Sequence, residues 1–398
     1  MESLFQISTS MVNSVDLRFK RYLRSSINWN NRLNVIVGAR GTGKTTLMLQ
    51  YIKENLMDKT DEVLYTSLDD LYFSKTNLVD FAGEFVKRGG KYLFLDEVHK
   101  YKNWSQELKS SYDYYPELKM VVTGSSALDI FKGKADLSRR AILYRLNGLS
   151  FREYIEFKYG ISFPVLTLDE VFGNPSKPIL AILQEVKPIK LFEEYIRWGY
   201  YPFFSEGLLE YPIRIKQIVN HVLDVDLPSV ENIDFNAIHH LRILLSVLSE
   251  MVPFKPNIVK LSKQVGISRE TLLRYLYLLE RADLIMLLQT ETKGNSKMNK
   301  PEKVYLNNTN QFYALSPGHA NPGSIRETFF FNQTREKHDV GYAQSGDFVI
   351  DGKFTVEVGG RNKPQKQIKG IENAFIAVDN TEYAHQNRIP LWLFGFLY

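Results

Sequence analysis

Lys44, Thr45, Asp96 and Glu97 are the residue types that phosphoryl transfer requires: an ammonium for phosphate oxygens, a hydroxyl and a carboxylate for a divalent cation, and a second carboxylate for water. The first two belong to "VGARGTGKTT" at 37–46, where Gly38, four residues, Gly43, Lys44 and Thr45 make the P-loop pattern. The run lies between the apolar stretch Leu33–Val37 and a helix-like stretch. There, glycines let the backbone turn its N–H groups inward and the helix start offers a positive end to anionic oxygens. Gly38, Ala39, Arg40, Gly41, Thr42, Gly43, Lys44, Thr45 and Thr46 are therefore expected to cradle phosphates, with Lys44 on the outer ones and Thr45 holding Mg²⁺. Asp96 and Glu97 end the apolar run Tyr92–Leu95, and ligands of open parallel sheets bind at the carboxyl ends of strands. Asp96 is expected to contact Mg²⁺ and Glu97 to activate water; the alternative is a buried strand running into an acidic helix cap.

Two further sets belong to the same chemistry. Thr123 or Ser125 in "VVTGSSA" reaches the same sheet edge, where a hydroxyl can sense the γ-phosphate or simply cap a turn. Arg139 and Arg140 precede the next apolar run. Arg140 is the favoured arginine for stabilising the transferred phosphoryl charge, in the same subunit or across an interface, against the alternative of a solvated basic turn.

Positioning these groups takes a parallel sheet. Short apolar runs "LNVIV", "EVLYTSL", "YLFLDE", "KMVVTGS" and "AILYRL" alternate with helical patterns from 33 to 147, the signature of an α/β domain. The length of 398 residues suggests two or three domains, and 44% hydrophobic content supplies their cores. No run reaches the ~18 apolar residues of a membrane span, and the first residues lack signal-peptide order, so a cytoplasmic location is expected. With no cysteine, disulfides and thiolate zinc sites are excluded; His239 and His240 face different sides of a predicted helix. The net charge of +5 permits nucleic-acid contact without arguing for it.

"VGARGTGKTTL", "YLFLDEVHKYKNWSQELK", "VVTGSSAL", "LSRRAILYRLNGLSFREYIEF" and "YIRWGYYPFF" together resemble the prokaryotic AAA-type ATPases that join a P-loop domain to a winged helix and a C-terminal domain of unknown function similar to the PD-(D/E)xK nuclease fold. The resemblance implies ATP as nucleotide, in agreement with the absence of an Asn-Lys-x-Asp guanine-reading motif. Many relatives read Gly-Arg where this chain has Arg139 and Arg140. The expected fold is α/β: a P-loop NTPase core with an N-terminal extension over 1–147, a helical lid or linker over 148–235, a winged helix over 236–312 and a small nuclease-like α/β domain over 313–398.

In the third part, Ser268 is placed to cap a second helix carrying Leu272, Leu273, Leu276 and Leu279 at helical spacing, with Arg269, Thr271 and Arg274 near its start for a duplex groove. A hairpin tip carries Lys293, Lys297, Lys300 and Lys303, expected to meet DNA phosphates. In the fourth, Glu327, Asp347 and Glu357 mimic the acidic set of a Mg²⁺-dependent nuclease. The lysine usual two residues after the second carboxylate is replaced by Gly359, and Lys363 reaches back only by a bend through "GGRNK", so the set reads as vestigial. The leading expectation is an ATP- and Mg²⁺-dependent ATPase switch acting on duplex DNA. An ATP-gated nuclease and an ATP-dependent protein-interaction scaffold without nucleic acid are the alternatives. A homo-oligomer or protein partner is compatible with each, and no membrane is involved.

Overall fold

The computed structural model describes residues 1–124, 137, 139–230, 233–251, 255–290, 300–318 and 321–398. The chain divides into two compact units, Met1–Gly148 with Asp224–Asn232, and Leu149–Leu223 with Ile233–Tyr398.

In the first unit the apolar runs become strands β1 (Leu33–Val37), β2 (Val63–Ser67), β3 (Tyr92–Asp96), β4 (Lys119–Gly124) and β5 (Ile142–Arg145). They form one parallel sheet in the order β2-β3-β4-β1-β5. Parallel neighbours need crossovers, supplied here by helices that follow α1 (Glu2–Ser14): α2 (Lys44–Asn55), α3 (Leu78–Lys87) and α4 (Trp104–Tyr114). Side chains alternate between faces along each strand. Val35, Leu93, Leu95, Met120 and Val122 therefore pack with Phe81, Phe85 and Leu108 of α3 and α4, while Ile36, Phe94 and Val121 pack with Leu47, Met48 and Ile52 of α2. Both faces are covered, which is why these strands read as continuous apolar runs. Helix α1 joins the two cores at the β2 edge, Leu4 entering one and Val12 the other. Between them the buried Ser8 hydroxyl accepts a hydrogen bond from the Tyr65 N–H at 3.0 Å, satisfying a donor of the edge strand.

The register aligns the working ends. Val37 pairs with Gly124, Leu95 with Val122 and Ser67 with Asp96, so the residues leaving β1, β3 and β4 meet at one edge, with β4 between the other two.

The second unit begins with α5 (Phe151–Tyr159), whose start is closed by a Ser150–Glu153 capping box. It continues through α6 (Pro188–Trp198), α7 (Tyr211–His221), α8 (Phe235–Met251), α9 (Ile258–Val265) and α10 (Arg269–Arg281). Strands β6 (Ile285–Leu288) and β7 (Lys303–Leu306) form an antiparallel pair. After α11 (Thr309–Leu315) and α12 (Pro322–Thr334) come β8 (Val340–Tyr342), β9 (Phe348–Ile350), β10 (Phe354–Gly359), β11 (Ala374–Val378) and β12 (Arg388–Pro390). These five make a mixed sheet, antiparallel from β8 to β10 and parallel from β10 to β12.

A buried polar residue fixes α11 in place. Asn310 accepts from the Tyr200 N–H at 2.8 Å and the Tyr211 hydroxyl at 2.5 Å, and donates to the Tyr195 and Ile196 carbonyls at 3.1 and 2.9 Å. With both ends of its amide used, it ties α11 to α6, to α7 and to the "GYYP" segment.

Candidate active site

At the carboxyl edge of the first unit's sheet, the chain from β1 turns through 38–43 into α2. A Cβ on Gly38 would lie 2.0 Å from the Leu146 carbonyl oxygen, so only glycine lets the loop pass the chain leaving β5. Gly43, at the helix N-cap, has φ 93° in the left-handed region. Thr42 donates to the Ala39 carbonyl at 2.9 Å, and the Lys44 ammonium donates to the Gly38 and Ala39 carbonyls at 2.8 Å each. Lys44 is thus folded over the loop, its charge held at the hollow. Arg21, from the chain before β1, props this loop from outside. Its guanidinium donates to the Thr42 carbonyl and, at 2.8 and 2.9 Å, to the carbonyls of Asn147 and Gly148. No spacing links Arg21 to the loop, so sequence reasoning had no signal for it.

Asp96 stands opposite. Its carboxylate accepts from Thr45 at 2.5 Å, Tyr65 at 2.9 Å, the Glu97 N–H at 3.1 Å and the Thr123 hydroxyl. Burial, followed by the charge of Asp96, raises the Tyr65 phenol, which therefore acts as a donor. A threonine hydroxyl against a carboxylate at the mouth of a phosphate loop is a hard-oxygen pair that suits Mg²⁺, the remaining ligands coming from nucleotide and water. The Thr123 hydroxyl is directed at Asp96, and Ser125 lies outside the described residues.

Glu97 follows in a left-handed conformation, φ 52° and ψ 40°. For a residue with a Cβ this costs about 1–2 kcal/mol, and such strain gathers at functional positions. Its carboxylate lies 3.3 Å from the Arg40 guanidinium and 3.4 Å from His99 Nε2. Asp226, fully buried, approaches the same two basic side chains, Arg40 at 3.7 Å and His99 at 3.8 Å, and also Lys100 at 3.5 Å. Burial pushes the Asp226 carboxyl up; the His99 hydrogen bond and the charges of Arg40 and Lys100 outweigh it and hold the group down at about 2.

Arg140 requires a correction. It precedes β5, whose register pairs Asn34 with Ile142 and Val37 with Arg145, so Arg140 lies at the amino edge of the sheet. Its guanidinium grips the Asp113 carboxylate through two hydrogen bonds of 2.8 and 2.9 Å. A strand of this length spans about 13 Å, which removes the same-subunit option for reaching the P-loop. The arginine that the register brings to the P-loop edge is Arg145, which the sequence reading did not single out.

In the second unit, Ser268 caps α10 by accepting from the Thr271 N–H at 3.1 Å, and the two hydroxyls lie 2.8 Å apart. Helix α10 buries Leu272, Leu276 and Leu279, with Leu273 half-buried, and leaves Arg269 and Arg274 exposed. Lys300 is exposed, and Lys293 and Lys297 lie outside the described residues. Lys303 departs from its expected place. It is largely buried, its ammonium donating at 2.9 Å to both Glu327 and Asp347, while Tyr305 donates to the same Glu327 oxygen at 2.8 Å. Burial lowers the Lys303 pKa, but the two carboxylates win and raise it; burial and then the Asp347 charge raise Glu327. Periodicity places a hairpin lysine in solvent; the helix and sheet packed against β7 place this one among acids.

The bend that Lys363 needs is made. Lys363 N–H donates to the Gly360 carbonyl at 3.0 Å, and its ammonium reaches the buried Glu357 at 3.1 Å. The stem passes over Gly359, where a Cβ would lie 2.5 Å from Lys363 Cγ, so the glycine leaves room for the lysine. Glu327, Asp347 and Glu357 thus already share two ammonium groups. Mg²⁺ does not fit this cluster, because Lys303 holds the position between Glu327 and Asp347 that a cation would need. Among the described residues, no group of three or more His, Cys, Asp or Glu is arranged to hold a metal.

The doubly covered parallel sheet, the loop entering α2 and the Thr45–Asp96 pair define a P-loop nucleotide-binding domain. Residues 30–155 match the AAA domain family, which supports an AAA-type P-loop ATPase; residues 189–319 match a domain of unknown function, DUF8612. Uncharacterized protein MJ1637 of Methanocaldococcus jannaschii is 26% identical over 289 residues, covering 70% of this chain and 61% of that protein. The chain therefore spans less than two thirds of that relative's length. Uncharacterized protein MJ1544 of the same organism is 26% identical over 383 residues, covering 88% and 80%. Among solved structures, AMPPCP-bound DnaA from Aquifex aeolicus is similar with a TM-score of 0.27 and 15% identity, covering 70% of this chain and 88% of that one. An overlap that loose carries no argument about ligand or partner. Among the described residues no helix is long and apolar enough to cross a membrane.

Proposed function

We propose that this chain binds ATP with Mg²⁺ and hydrolyses it, working as a nucleotide-driven switch in the cytoplasm. The observation that carries the reading is the meeting of Thr45 and Asp96 at 2.5 Å beside the P-loop, with Glu97 next in the chain. Lys44 is already turned over the hollow and transfers its hydrogen bonds from loop carbonyls to the outer phosphates. Thr45 and Asp96 would hold Mg²⁺, which would supply neutralisation of the phosphate charge. Glu97 accepts the proton of the attacking water, and Thr123 keeps the Asp96 carboxylate oriented. The test is ATP turnover together with binding of a fluorescent ATP analogue. Glu97→Gln should retain binding and slow hydrolysis about 10²–10⁴-fold; turnover at the wild-type rate would remove Glu97 from the role of base.

We further infer that 236–312 forms a winged helix and that the switch acts on duplex DNA through it. The capped α10, its exposed Arg269 and Arg274, and the β6–β7 pair support this reading. DNA-stimulated turnover is its measurement, and assembly controlled by ATP without DNA binding is the outcome that favours a protein partner.

A further inference from the structure

Asp226 is a buried carboxylate on which the steps above make no demand. It ends the turn Val222–Asp226 and is followed by a short helix, Leu227–Val230, that packs on the turn Val98–Lys100 directly after the Glu97 base. The segment Asp224–Asn232 belongs to the nucleotide-binding unit, although the chain on both sides of it belongs to the other unit. This excursion delivers one negative charge to a place with no solvent, among three basic side chains. Two of the three, Arg40 and His99, are also the groups that touch Glu97. Arg40 sits between Ala39 and Gly41 in the phosphate loop itself.

Two carboxylates therefore share two basic groups. A carboxylate drawn tightly onto a guanidinium is turned away from water. With Asp226 in place, Arg40 and His99 are held between two anions. Without its charge, both are left to Glu97 alone and close upon it.

We propose that Asp226 is a positioning residue for hydrolysis, acting on Glu97 through Arg40 and His99, so that turnover requires the Asp224–Asn232 segment to be docked on the nucleotide-binding unit. The inference rests on the reading of Glu97 as the base.

The test uses the full chain and four variants: Asp226→Asn, Asp226→Glu, Glu97→Gln and the double Asp226→Asn/Glu97→Gln. Turnover is measured at saturating ATP, and affinity by titration with a fluorescent ATP analogue. Asp226→Asn, which keeps the shape and removes the charge, should lower kcat about ten- to hundredfold while changing analogue affinity less than about threefold. Retained analogue binding also shows that the variant is folded. Asp226→Glu, which keeps the charge, should retain at least part of kcat; should the Asn variant not fold, a glutamate variant that binds the analogue normally but has no measurable turnover would count against the proposal. In the double variant Asp226→Asn should add almost nothing to the loss from Glu97→Gln, because its effect passes through that carboxylate, whereas a merely structural role would add in full. Wild-type or higher kcat in Asp226→Asn, or full additivity in the double, overturns the inference. Glu97→Gln at the wild-type rate instead overturns the reading of the base on which it stands.

Discussion

At the scale of single residues, the nucleotide site is built from groups that hold one another in place before any ligand arrives. Lys44 rests on the carbonyls of Gly38 and Ala39, so its ammonium is desolvated and aimed at the loop hollow. Lys44→Ala should abolish binding of the fluorescent ATP analogue, since no neighbouring cation of the loop replaces a charge at that position; near-normal affinity would take the phosphate contact away from Lys44. Tyr65 and Thr123 serve Asp96 rather than the nucleotide, each donating to its carboxylate. Tyr65→Phe should therefore leave analogue affinity in the absence of Mg²⁺ nearly unchanged and weaken the Mg²⁺-dependent part about 10–100-fold, the usual loss when outer partners of metal ligands are removed. Binding that is equally weakened with and without Mg²⁺ would contradict that division of labour.

At the scale of elements, isolated polar contacts decide where helices and strands settle. The Ser8 hydroxyl is the partner of an edge-strand N–H, and Ser8→Ala should cost about 1–3 kcal/mol in chemical denaturation, the penalty of a buried donor left unmatched. In the second unit, Lys303 joins β7 to α12 and to the chain entering β9 by bridging Glu327 and Asp347. Lys303→Met should destabilise the protein by about 3–5 kcal/mol, because two largely buried carboxylates lose their shared cation. Replacing Glu327 by Gln in the same chain should recover part of that loss; no recovery would mean that the bridge is incidental. With both Lys303 and Lys363 paired to the carboxylates, incubation of the wild-type protein with linear and supercoiled DNA, ATP and Mg²⁺ or Mn²⁺ should give no cleavage. Cutting abolished by both Asp347→Ala and Lys363→Ala would establish the nuclease alternative.

For the whole molecule, the questions are what the proposed switch would act on and whether copies cooperate. Replacing Lys293, Lys297 and Lys300 by Ala should weaken binding to unrelated duplexes by a similar factor and make the log–log salt slope shallower by up to about 0.9 for each DNA phosphate no longer neutralised. Lys303 leaves that set, because its ammonium is engaged with acids, so Lys303→Met should not make the slope shallower. If Arg140 is an arginine finger, its place at the sheet edge away from its own P-loop lets it act only on the site of a second copy. Mixing Lys44→Ala chains with Arg140→Ala chains should then restore turnover that neither has alone; normal turnover of the Arg140→Ala chain by itself would leave Arg140 as the partner of Asp113.

The sequence alone determined what is contiguous. A phosphate loop is made by successive backbone groups between one strand and one helix, so Gly38 to Thr45 announce it by spacing. Asp96 and Glu97 announce themselves because the end of a buried strand has a known destination in a parallel sheet. The α/β alternation of the first unit was legible because a sheet covered on both faces needs uninterrupted apolar strands. Other features depend on residues far apart in the chain, whose proximity no local pattern encodes. Arg21 meets Thr42 and Gly148 only because the chain before β1 crosses the loop, and Asp226 meets Arg40 only because a segment returns from the second unit. Register moved Arg140 to the far edge of the sheet, and packing of β7 against α12 drew Lys303 out of solvent. Lys363 reaches Glu357 because Gly359 has no side chain in the way. Spacing governs groups that share a strand, a turn or a helix; a buried charge takes its partner from whatever the tertiary fold brings within reach, since leaving it alone in a dry interior costs more than any local preference can offset.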